Sequence, residues 1–76
     1  MKTTDDWEAL TKGLLKAELK RRSITYQQLA IMLRGVGVEE TPENVANKIN
    51  RGKFGAVFFV QCLSVIGCKI VRLSDE

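Results

Sequence analysis

The residues best suited to chemistry lie in one short stretch: Asn44, Asn47, Lys48, Arg51 and Lys53, interrupted by Val45, Ala46, Ile49, Asn50 and Gly52. An asparagine amide offers a donor and an acceptor side by side, which matches the major-groove edge of adenine. Lysine and arginine match guanine edges and phosphate oxygens. Residues three and four apart share a helix face, so Asn44, Asn47, Lys48 and Arg51 fall together with Glu43, while Val45, Ala46 and Ile49 fall on the opposite stripe. The expected chemistry is recognition of duplex DNA. Asn47 and Lys48 approach bases, and Arg51 and Lys53 hold phosphates. The plain alternative is a solvated polar face.

Catalysis finds little material. The chain has no histidine, which removes the commonest general base and a common metal ligand. No glycine-rich phosphate loop follows a strand. The carboxylates fall where caps, exposed faces or the tail would place them. Neither an enzyme nor a metal or cofactor site is expected. Cys62 and Cys68 sit in apolar surroundings at a spacing that suits neither a zinc site nor a disulfide, and so read as small hydrophobes in a reducing cytoplasm. The start of the chain is polar, and the longest apolar run, from Ala56 to Val60, is far too short for a membrane span.

Seventy-six residues with 45% apolar and 28% charged side chains make one small domain, residues 1–76, with one core. The net charge of +3 is mild, but its distribution is uneven. Lys12, Lys16, Lys20, Arg21 and Arg22 form one basic group, and Lys48, Arg51 and Lys53 another.

Four helices are expected to position these groups. The first starts from an Asp5 or Asp6 cap and carries a Trp7, Leu10, Leu14, Ala17 stripe widened by Leu15 and Leu19. Gly13 inside it marks a close helix crossing. Thr25 caps the second helix, with Gln28 three residues on as in a capping box. Gly35 and Gly37 end that helix, and Val36 and Val38 tuck under the following loop. Thr41 caps the third helix with Pro42 in its first position, and Gly52 stops it. The fourth, from Gly55 or Ala56 to Ile66, is apolar nearly all round, which suits a domain centre or a subunit interface. Lys69 to Leu73 reads as an extended tail or an edge strand. Residues 1–5 and 74–76 are expected to fray.

Two resemblances follow from these residues. Thr25-Tyr26-Gln27-Gln28-Leu29-Ala30 resembles the opening of the first motif helix of lambda-repressor-like (Xre-type) domains. Ile49-Asn50-Arg51-Gly52-Lys53 resembles their helix-ending motif, and the apolar helix closing at Ile66-Gly67-Cys68 resembles their next core helix. The resemblance implies an all-α, four-to-five-helix lambda-repressor-like helix-turn-helix domain with a short extended C-terminal tail. It also implies a transcriptional regulator that lays residues 42–51 in the major groove. Carried over by position, base reading falls on Glu43, Asn44 and Lys48, and phosphate contacts fall near Tyr26 and Gln27. Arg34 to Thr41 is several residues longer than the repressor turn, which leaves the angle of the third helix open. As a whole the chain also resembles a bacterial family of small proteins known only as a domain of unknown function. The marks are Ala17 to Arg22, Thr25-Tyr26, Asn47-Lys48-Ile49, Arg51 to Phe54 and Gln61-Cys62-Leu63. The competing expectation is a protein-interaction or homodimerisation module that uses helix 56–66 and the tail without nucleic acid.

Overall fold

The computed structural model describes residues 2–73. It is built from four helices, α1 (Thr4–Arg21), α2 (Tyr26–Gly35), α3 (Pro42–Arg51) and α4 (Ala56–Val65). No strand forms among the described residues. The tail after α4 is irregular rather than an edge strand.

Each of the first three helices starts at a threonine. Thr25 and Gln28 form the expected reciprocal box, and Thr41 accepts from the Asn44 N–H ahead of Pro42. In α1 the cap is Thr3, not Asp5 or Asp6. The Asp6 N–H donates to Thr3 Oγ1 at 3.2 Å and the Thr3 N–H donates to Asp6 Oδ2 at 2.9 Å. The same box therefore operates one turn earlier than the aspartates suggest. Thr4 and Asp5 are accordingly helical rather than frayed, while Met1 and residues 74–76 lie outside the described residues.

Three helices close in the same way. The second residue past the cap sends its N–H back five positions, from Ile24 to Leu19, Val38 to Leu33 and Cys68 to Leu63. The residue before it adopts positive φ, at Ser23, Gly37 and Gly67. This is the Schellman closure, and it folds an apolar side chain back onto the helix it ends. Ile24, Val38 and Cys68 all pack against the core as a result. Val36, two residues before Val38, points outward instead of tucking under the loop.

The core comprises Leu15 and Leu19 of α1, Leu29, Ala30 and Leu33 of α2, Val45 and Ile49 of α3, and Phe58, Cys62 and Leu63 of α4 with Ile66. α2 packs on α3 and α4, and α1 packs on the same two. At eighteen residues, α1 is nearly twice the length of the ten-residue helices it lies against. At 1.5 Å per residue it outreaches them, so burial concentrates in its C-terminal half. Trp7 is consequently 54% exposed, with the Lys2 ammonium 4.8 Å from its ring centroid. Ala17 is exposed too, so the buried stripe is Leu15, Glu18 and Leu19.

The close helix crossing is also not at Gly13, where an added Cβ would meet nothing within 4 Å. It is at Gly52, which ends α3 with φ 68° and whose Cβ would lie 2.7 Å from the Glu8 carbonyl oxygen. One glycine thus supplies both the left-handed cap and the space in which α3 meets α1. Phe54 then turns inward, edge-on to Phe58 at 5.6 Å and stacked on Phe59 at 5.9 Å, and fastens the end of α3 to the start of α4.

Candidate nucleic-acid interface

α3 buries only Val45 and Ile49. Its exposed side chains are Glu43, Asn44, Asn47, Lys48, Asn50 and Arg51, followed by exposed Lys53. Gln27, in the first turn of α2, is exposed as well, and Tyr26 is half-buried. Among the described residues the side chains of Gln27, Glu43, Asn44, Asn47, Arg51 and Lys53 make no hydrogen bond to the protein. Their donors and acceptors are free for another molecule.

Lys48 is different. Its ammonium is paired with Glu40, from the loop before α3, and lies 4.9 Å from the centroid of the Phe58 ring. Beneath this pair the buried Cys62 thiol is pushed up to about 12, first by burial and then by the Glu40 charge, with Lys48 offsetting part of the rise. Glu40 keeps one buried oxygen, Oε2, without a partner. Although exposed, Lys48 is thus engaged within the molecule, and its pairing with Glu40 ties the long loop to α3 beside Phe58 of α4.

Asn50, which sequence reasoning gave no role, is a junction. Its carbonyl accepts from Lys12 Nζ at 3.1 Å, and its Oδ1 accepts from the Tyr26 hydroxyl at 3.4 Å. Lys12 thereby caps the negative end of α3 from α1, and the first residue of α2 is brought beside the last turn of α3. Burial raises the Tyr26 phenol above its ordinary value, so it is a neutral donor. The signal available in the sequence was the spacing of Lys12, Lys16 and Lys20, one turn apart on α1.

The first basic group, on α1 and its C-cap, divides around the helix. Lys12, Lys16 and Lys20 lie on the flank next to Tyr26 and Asn50. Arg21 and Arg22 turn the other way, onto Glu18. Arg21 Nη1 donates to both carboxylate oxygens at 2.9 and 2.8 Å, and Arg22 Nη1 donates to Oε1 at 2.6 Å. The hydrogen bond from Arg22 is the main cause holding Glu18 below the usual carboxylate range, with Arg21 adding to it. These arginines make a structural clamp near the tail rather than part of a continuous basic face with α3.

The pattern that joins these features can be compared with known families. A family profile described as Domain of unknown function (DUF6471) matches residues 7–71. The chain belongs to that family. The match takes in α2, α3 and α4 entirely and nearly all of α1, so the Lys12–Asn50–Tyr26 junction, Gly52 and the Lys48–Glu40 pair all lie within the family's domain. No curated protein matches the chain, and no solved structure matches it. Among the described residues no helix is long and apolar enough to cross a membrane, and no group of three or more histidine, cysteine, aspartate or glutamate side chains is placed to hold a metal ion.

Proposed function

We propose that this domain binds duplex DNA, in the manner of a small helix-turn-helix transcriptional regulator, with the outward face of α3. The observation that carries the reading is the set of unpartnered polar side chains on α3, flanked at its C-terminal end by the lysine side of α1. Asn44 and Asn47 are the base-reading candidates, with Glu43 suited to a cytosine amine. Arg51, Lys53 and Gln27 are the phosphate contacts, joined by Lys16 and Lys20. Lys48 contributes by fixing the angle of α3 through Glu40, in place of the direct base contact that its sequence position suggests. Tyr26 acts as the strut that holds α3 against α2.

The test is a titration of random-sequence duplex with the full chain across a range of salt concentrations. The four cationic phosphate contacts, Arg51, Lys53, Lys16 and Lys20, give a slope of log K against log salt of about −3.6. Arg51→Ala with Lys53→Ala should flatten that slope by about 1.8. Absence of any salt-dependent binding at low ionic strength would sink the reading.

One observation favours a second reading. Val57 and Val60 are 72% and 61% exposed on α4, a helix that carries no charged residue. Self-association through that face is compatible with DNA binding, since a dimer suits paired half-sites. Sedimentation over a concentration series decides it. A monomer at all concentrations removes the homodimer.

A further inference from the structure

Between α1 and the start of α2 lies an open hollow of ≈ 430 Å³, lined by Lys16, Leu19, Lys20, Ile24, Thr25 and Tyr26. Its size falls in the range of small-ligand clefts, about 300–1,000 Å³. The floor and one wall are apolar or aromatic, from Leu19, Ile24 and Tyr26. The rim carries two ammonium groups one helical turn apart, which repel one another across the opening. Neither lysine is in a salt bridge among the described residues; the acids that do form such bridges, Glu18 and Glu40, pair with Arg21, Arg22 and Lys48. An apolar hollow with an uncompensated cationic rim is complementary to a flat ring that carries an anion. Stacking on aromatic and apolar walls is how proteins hold unpaired bases.

We propose that this hollow receives one nucleoside phosphate, with its base against Ile24 and Tyr26 over Leu19 and its phosphate between Lys16 and Lys20. Resting on the duplex reading, this names what that surface prefers: DNA with an unpaired nucleotide beside the helix that α3 contacts. The same chemistry is offered by a free mononucleotide. The Tyr26 hydroxyl is already engaged with Asn50, so the ring is held in place as a wall.

The experiment follows the Ile24 methyls and the Tyr26 ring of the full chain by NMR. Four probes are added in turn: inorganic phosphate, deoxyadenosine monophosphate, a fully paired duplex, and the same duplex with one unpaired adenosine. The duplex with the unpaired nucleotide should bind several-fold tighter than the paired one and shift both reporters. Lys16→Ala with Lys20→Ala, both on the exposed side of α1, should weaken it by about tenfold and erase its advantage. If the monophosphate shifts the reporters while neither duplex binds, the hollow is a free-nucleotide site and the duplex reading fails. If both duplexes bind equally and the reporters stay still, the hollow proposal is overturned and the duplex reading stands. If inorganic phosphate matches the monophosphate in shift and affinity, the base plays no part and the proposal is likewise overturned. Reporters unmoved by every probe, with no duplex binding, overturn both.

Discussion

α3 and α4 are the same length and adjacent in the chain, yet they solve opposite problems. α3 has two buried residues and a polar outer face; α4 has three buried residues and an outer face of Ala56, Val57, Val60 and Ser64. α3 packs on α1 and α2 through the fully buried Val45 and Ile49, and fixtures along its side and at both ends add to that packing. Thr41 caps the start, Glu40 grips Lys48 along its side, and Gly52, Lys12 and Tyr26 fix the finish. α4 has Gly55 as its N-cap, with no side-chain cap, and is held by its aromatic and aliphatic underside. These fixtures and the narrow buried stripe hold α3 without using its outward side chains, which stay uncommitted. That difference is why the candidate site is assigned to α3 and self-association to α4.

The contrast is most easily broken at Gly52. An alanine there combines a positive φ with a Cβ 2.7 Å from a backbone oxygen that cannot move without shifting α1. Gly52→Ala should cost about 2–4 kcal/mol in urea unfolding, and a change below about 0.5 kcal/mol would mean that α3 is not held at this end. Next in size is the junction of the two helices at Cys62. Its thiol titrates near 9.0 when free and is pushed up to about 12 in the fold. Between these values the folded chain holds a proton that the unfolded chain has lost, so this contribution to stability is full below about pH 9 and declines as pH rises toward about 12. Cys62→Ala should show a shallower alkaline loss than the parent, measured by unfolding midpoints across that range. Identical profiles would show that the thiol is not buried under the Lys48–Glu40 pair.

Much of this contrast was readable in advance, and what was missed follows a rule. Thr25 with Gln28, Thr41 with Pro42, and Gly52 were legible because a cap depends on neighbours within one turn. The stripe of Val45, Ala46 and Ile49 was legible for the same reason, through helical periodicity, although Ala46 is only half-buried. Thr3 was missed because two aspartates just after it are themselves good caps, and only the geometry shows Asp6 answering Thr3. Trp7 was assigned to the core by spacing alone, whereas its burial depends on how far α3 and α4 extend along α1. Lys48 looked free because its partner Glu40 lies eight residues back in a loop whose path the sequence does not encode locally. Gly13 was given the close approach that belongs to Gly52, since a glycine inside a helix and one at its end leave the same mark in sequence.

That last exchange gives a smaller prediction that serves as a control outside the two helices. Gly13 is exposed in mid-helix with open space at its Cβ. Gly13→Ala should therefore stabilise by about 1 kcal/mol, the opposite sign to Gly52→Ala. A loss of stability would restore the close crossing at Gly13. The smallest expected effects sharpen the comparison directly. Asn47→Ala, and separately Val57→Ser with Val60→Ser, should each leave folding stability within about 0.5 kcal/mol, because these side chains are exposed. Their consequences should diverge elsewhere. Asn47→Ala should weaken duplex binding without altering sedimentation, and the valine pair should do the reverse.

The most direct measurement is a backbone amide shift map of the full chain on titration with duplex DNA at low salt. Perturbations are expected at Asn44, Asn47, Arg51, Lys53 and Gln27, with Val57, Val60 and Ser64 unchanged. Perturbations confined to the α4 face, or none on α3, would contradict the assignment of the site to α3.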